Sequence, residues 1–158
     1  MAGTRTEVRH GRRWFDRFVY WIAAIILLSG WWSKVYLIAA SPPFWKAGLD
    51  YVTGLTNHQT AVLGLGFDTT ALTLVLFSKS DLQRAFALAW AGAAFLSYHL
   101  ISRAIGAPAA CPCLSGLRTL VKLSTRELET LSLAAAIFLV VGGIILCSRT
   151  LRQSRESD

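Results

Sequence analysis

Residues 128–147 read LETLSLAAAIFLVVGGIILC, a stretch with one charged side chain, Glu129, close to its start. An α-helix needs about 20 predominantly apolar residues to cross the hydrocarbon core of a bilayer. In lipid a helix satisfies its own backbone hydrogen bonds, whereas an open sheet leaves its edges unpaired. Outward from this stretch, three further apolar runs of similar length occupy residues 18–38, 59–77 and 82–101. Ser124 with Glu127, Thr56 with Gln59 and Ser80 with Gln83 precede three of the four runs. Each pair fits the Ser/Thr-x-x-Glu/Gln capping box that opens a helix. The expected fold is therefore all-α: a single polytopic membrane domain, residues 1–158, built as a four-transmembrane-helix bundle.

Composition agrees. The chain is 54% hydrophobic and only 16% charged, against roughly 25% charged in an ordinary soluble domain. Its formal charge of +7 sits between and beyond the apolar runs, where membrane topology places basic residues. That distribution argues for the lipid bilayer as partner and against nucleic acid. The first run follows a basic leader, but it is too long for a signal peptide, contains Lys34 and runs into Pro42-Pro43. A retained span is expected.

Orientation follows from lysine and arginine. The tails 1–17 and 148–158 and the link between the second and third runs hold Arg5, Arg9, Arg12, Arg13, Arg17, Lys79, Arg84, Arg149, Arg152 and Arg155. The opposite side holds Lys34, Lys46, Arg103, Arg118, Lys122 and Arg126. Ten against six puts both basic tails in the cytoplasm. The two outward loops are then distinctive. The first carries Pro42, Pro43, Phe44, Trp45 and Tyr51, an aromatic set suited to the membrane interface. In the second, Arg118, Lys122 and Arg126 recur at helical spacing, with Leu117, Leu120, Val121 and Leu123 as an apolar side. This predicts a short interfacial amphipathic helix, the alternative being a basic extension of the fourth span.

The second loop also contains Cys111-Pro112-Cys113. The exoplasmic side permits disulfides. A structural bridge gains stability from the length of loop it closes, and a bridge across one residue closes almost nothing. It is also pressed away from relaxed geometry, which marks exchange-competent disulfides. Pro112 stiffens the link and biases Cys111 toward extended backbone. Arg103, Arg118 and the amino terminus of a helix beginning near Leu114 would favour the thiolate. Cys111 and Cys113 are thus candidate catalytic residues for thiol–disulfide exchange, with His99 as a candidate proton acceptor. The alternative for His99 is a hydrogen-bonded interfacial role. Zinc usually takes four ligands, and this loop offers two thiols, so no metal site is expected. Cys147 reads as a small lipid- or bundle-facing residue.

Asp68 falls mid-span, where a charge is costly and usually faces the bundle interior. Ala61, Gly64, Asp68 and Ala71 share a helical face, as do Ala23, Leu27, Gly30 and Lys34, and Ala85, Ala89, Gly92, Leu96 and His99. Small residues on such faces let helices approach closely. Lys34 either pairs with Asp68 or snorkels outward. Asp68 and Lys34 are candidate cofactor-binding residues, with a quinone head group as the candidate ligand; Asp68 also suits proton relay or protonated packing.

Ser29, Gly30 and Lys34 closing the first span, Tyr98-His99 ending the third, and Cys111-Pro112-Cys113-Leu114 after it together resemble the DoxX-like family. The closer likeness is to the methylamine-utilisation MauE branch of redox-associated membrane proteins. It covers about residues 13–147, with one departure: Ser115 displaces Gly116 by one position. The resemblance implies a bacterial inner-membrane protein that supports oxidative maturation of exported proteins, beside a periplasmic thioredoxin-like partner or an exported client. The alternatives are a non-enzymatic scaffold or accessory subunit, and a quinol-oxidase or transporter-type subunit that uses Asp68.

Overall fold

The computed structural model describes residues 4–40, 48–106 and 124–155. Four helices make up nearly all of them: α1 Thr4–Ala40, α2 Asn57–Phe77, α3 Asp81–Ala104 and α4 Thr125–Arg155. All four are long and apolar enough to cross a membrane, over Trp14–Ala39, Asn57–Phe77, Asp81–Ala104 and Arg126–Arg155. The protein is an all-α, multi-pass membrane bundle. Each apolar run lies inside one helix, but α1 and α4 continue well into the basic segments 1–17 and 148–158. The amphipathic helix, Cys111, Cys113, Pro42, Pro43, Phe44 and Trp45 lie outside the described residues.

Two of the three capping boxes form. Thr56 accepts from the Gln59 backbone while Gln59 accepts from the Thr56 N–H, and Ser124 and Glu127 are joined in the same reciprocal way. The expected box at Ser80 does not form, since Ser80 makes no side-chain cap. Gln83 is diverted to the Ser78 hydroxyl at 2.6 Å. The α2–α3 link is so short that Ser78 and Gln83 fall within reach, and Arg84 Nε also donates to the Ser78 carbonyl at 2.7 Å.

Neighbours in sequence are neighbours in space. The α3–α4 pair has the most extensive contact, followed by α1–α2 and α2–α3, while α1 meets α4 only sparsely. Close approach of α3 and α4 depends on glycine. A Cβ on Gly92 would lie 2.5 Å from the Val140 backbone nitrogen, and one on Gly143 would lie 2.4 Å from that of Ala89. Small and aliphatic side chains fill the core, among them Ala23, Leu27, Ala71, Ala85, Leu88, Ala91 and Leu139. On α1 and α2 the expected faces are the buried ones, with Gly30 and Gly64 at their half-buried margins. On α3 the buried face is rotated: Ala85, Leu88, Ala91, Gly92 and His99 are buried, whereas Ala89 and Leu96 are half-buried. Ala87, off that face, is buried as well.

Candidate functional site

One end of the bundle carries the α2–α3 link together with Asp16 of α1 and Arg149 of α4, which meet at 3.0 Å; it is called the terminal end below. The opposite, loop end collects the polar residues of the interior. Lys34 comes from α1 and Asp68 from α2, and the lysine Nζ lies 2.5 Å from Asp68 Oδ2. Both side chains are sealed, at 3% and 0% exposure. Lys34 therefore does not snorkel outward but turns into the bundle.

Two glycines make room for the pair. A Cβ at Gly64 would approach Lys34 Cε to 2.9 Å, and one at Gly30 would sit 3.5 Å from Asp68 Oδ2. The lysine stem thus runs along a bare strip of α2 to reach a carboxylate one helical turn deeper. Its ammonium also stands 5.5 Å from the centroid of the Phe95 ring on α3, a cation–π distance. Asp68 Oδ1 is buried and has no hydrogen-bond partner among the described residues. A buried carboxylate oxygen in that condition is uncommon, and it leaves Asp68 one acceptor in hand.

His99 lies on the same side of α3 and is buried. Its Nε2 is 3.0 Å from Ser132 Oγ on α4, and Ser132 also donates to the Glu129 carbonyl at 3.0 Å. A serine hydroxyl has a single hydrogen. With that hydrogen on Glu129, the hydroxyl accepts from His99 Nε2–H, and in the neutral ring Nδ1 is the acceptor. This tautomer is assigned from the hydrogen-bond pattern.

Lys34, His99 and Ser132 border one end of a cavity of about 460 Å³ between α1, α3 and α4. Apart from Ser29, the rest of its wall is apolar, including Leu27, Phe95, Phe138 and Leu139. A mostly apolar pocket with a few convergent polar groups is the usual form of a small-molecule site. Among the described residues, no cluster of three or more His, Cys, Asp or Glu could hold a metal ion.

A second polar cluster tethers the segment before α2. Asp50 Oδ1 accepts from the Val52 and Thr53 N–H groups at 3.0 and 2.8 Å and from the Thr53 hydroxyl at 3.0 Å. Its Oδ2 accepts from the Tyr98 hydroxyl at 2.6 Å. Gly54, at φ +69°, turns the chain back so that Leu49 pairs with Thr56. Burial pushes the Asp50 carboxyl up, but the donors from Tyr98, Thr53 and Val52 outweigh it and hold the group below the usual carboxylate range. Tyr98 thereby fixes this loop to α3, one residue before His99.

Comparison of the chain with protein-family models, curated proteins and solved structures yields no match. The site thus stands on its own geometry. Of the five candidate site residues read from sequence, the structure brings Lys34 and Asp68 together and sets His99 and Lys34 on one cavity, while Cys111 and Cys113 lie outside the described residues. Cys147 is half-buried against the core. Ser132 and Asp50 were not anticipated. Ser132 had a signal, since Leu128, Ser132, Ala136, Leu139, Gly143 and Leu146 recur every three or four positions and form the buried face of α4.

Proposed function

We propose that this protein is a bacterial inner-membrane thiol–disulfide component of the kind implied by its resemblance to MauE-type DoxX-like proteins. Both termini are cytoplasmic, and the Cys111-Pro112-Cys113 loop is periplasmic, where it meets a thioredoxin-like protein or an exported client. The observation that carries this reading is the cluster of Lys34–Asp68 and His99–Ser132 on an apolar cavity at the loop end. The α3–α4 connection that bears the cysteines leaves from that end.

In the exchange step, a thiolate of the client attacks the Cys111–Cys113 disulfide. A mixed disulfide forms, and the second client thiolate resolves it. The client gains a disulfide, and Cys111 and Cys113 are left as two thiols. Restoring their disulfide removes two electrons and two protons. A quinone, when bound, supplies the acceptor for both. Lys34 would hold one of its oxygens through a hydrogen bond, and His99, whose Nε2–H is given to Ser132, would offer Nδ1 as a proton acceptor. Asp68 holds the Lys34 side chain inward, and the apolar wall excludes water.

The test is differential alkylation of Cys111 and Cys113 in intact cells, combined with sidedness from a membrane-impermeant maleimide. The expected result is a mixture of dithiol and disulfide that shifts to dithiol under reductant, with labelling from outside. Thiols that stay reduced throughout oxidising growth would defeat the proposal. A Cys111→Ser, Cys113→Ser chain that retains full function would select the scaffold reading instead.

A further inference from the structure

We propose that the seam between α1 and α4 is a lateral access groove that holds the isoprenoid tail of a long-chain quinone, with its head at Lys34, His99 and Ser132. Only the identity of the head rests on the redox reading above; the groove stands on the following geometry. α1 and α4 touch sparsely, and two cavities of about 460 and 450 Å³ lie in series along their seam. Ala134 and Phe138 line both, so the two adjoin at these side chains.

The mouth opens onto lipid. Leu131, Ile137 and Val141 stand along it at 54%, 46% and 49% exposure, and apolar side chains so exposed on a membrane bundle face hydrocarbon. From Ser132 to Ile145 the groove follows α4 for roughly 20 Å at about 1.5 Å per residue, much of the ~30 Å hydrocarbon thickness. It is closed at the terminal end, where Arg149 meets Asp16 at 3.0 Å and covers the Phe15 ring at 4.9 Å. Among the residues that line the two cavities, Lys34, His99 and Ser132 lie at the loop end, and the one deeper polar side chain, Ser29, gives its hydrogen to the Ile26 carbonyl of its own helix.

This pattern selects a single-chain amphiphile with an uncharged, flat head. The charge of Lys34 is already compensated by Asp68, which leaves no net cation for a lipid phosphate. Phe95 and Phe138 line the space beside a ring, while the Lys34 ammonium offers a hydrogen bond to a carbonyl oxygen and His99, with its Nε2–H given to Ser132, keeps Nδ1 to accept from a quinol hydroxyl. A two-chain phospholipid would have to bury its headgroup below the interface to reach the same residues.

The experiment uses purified full-length protein in detergent, with the shift in melting temperature as readout, since a ligand of the folded state stabilises it by mass action. The probes are decyl-benzoquinone, tail-less duroquinone and phosphatidylglycerol. Decyl-benzoquinone is expected to raise the melting temperature and duroquinone to need at least tenfold more for the same shift. Ala134 is exposed, so Ala134→Trp blocks the junction of the cavities without entering the core. It should weaken decyl-benzoquinone at least tenfold and leave duroquinone unchanged; Val141→Trp, at the mouth, serves if Ala134→Trp does not fold. Unchanged decyl-benzoquinone binding in the folded variant overturns the groove. So does phosphatidylglycerol that stabilises as strongly and is lost with the same substitution, which would make the seam a lipid site. A Cys111→Ser, Cys113→Ser chain should bind the quinones normally. Thiols that cycle in cells while neither quinone binds would defeat this inference alone, and quinone binding without thiol cycling would defeat the redox reading alone.

Discussion

Lys34 Nζ and Asp68 Oδ2 are 2.5 Å apart in the interior of a bundle whose outer surface is hydrocarbon-facing. Either charge alone costs about 2.5–3.5 kcal/mol at mid-membrane on insertion scales. Together they form a neutral unit, and the close approach of α1 and α2 at Gly30 and Gly64 is what allows it.

Removing one partner should therefore do more harm than removing both. Lys34→Met or Asp68→Leu alone is expected to destabilise by about 3–5 kcal/mol, because an uncompensated charge remains buried. The double variant should recover most of that loss. A double-mutant cycle on thermal unfolding in detergent measures the coupling, and simple additivity of the two single effects would refute it.

Glycine positions on different faces should respond in opposite directions. At Gly92 and Gly143 an alanine Cβ meets backbone at 2.5 and 2.4 Å, so α3 and α4 must part. Each substitution is expected to cost about 1–3 kcal/mol, as overpacking does. At Gly66 a Cβ meets nothing within 4 Å, and alanine there should gain up to about 1 kcal/mol from helix propensity. Melting temperatures of the three single variants give the comparison; a Gly66→Ala loss equal to that of Gly92→Ala would contradict it.

These positions also show what the sequence makes legible. Four apolar runs and two capping boxes specify the helices because length and end chemistry are local properties. Ser80 misleads, since Gln83 is claimed by Ser78, a residue outside the motif. The direction taken by Lys34 is not a local property. Its depth on α1 suits snorkelling as well as pairing, and only the bare strip at Gly64 on another helix decides. Ser132 is hard to read from sequence, because a hydroxyl in an apolar run usually returns its hydrogen to its own helix. Here it does so, to Glu129, and still accepts from His99.

The Asp50 cluster should give the protein an acid limb. Its folded carboxyl lies below the ordinary carboxylate range, so the unfolded chain binds the proton first as pH falls. The stabilisation is complete above the ordinary carboxylate range and is lost as pH drops through the lower, folded value. Tyr98→Phe removes the 2.6 Å donor and should move that loss to higher pH. Melting temperature in detergent between about pH 6 and pH 2.5 measures it, a window that brackets the ordinary carboxylate pKa of roughly 4. An acid limb identical in wild type and Tyr98→Phe would dismiss the role of Asp50.

Arg149 should matter more for the seam than for overall stability. Its pairing with Asp16 is partly exposed, and such pairs contribute only about 0.2–1 kcal/mol. Yet it combines that pairing with the Phe15 ring, and both partners lie on α1, which otherwise meets α4 sparsely. Asp16→Asn leaves the ring contact in place, whereas Arg149→Ala removes both. Cys147, half-buried two positions before Arg149, reports on this end of the seam. In a Cys111→Ser, Cys113→Ser background, Arg149→Ala is expected to speed alkylation of Cys147 by N-ethylmaleimide severalfold, with Asp16→Asn close to the parent. Arg149→Lys should resemble Arg149→Ala, because an ammonium cannot reproduce the planar stacking of a guanidinium. Equal rates across all four chains would show that the seam is held by its apolar contacts and not by this residue.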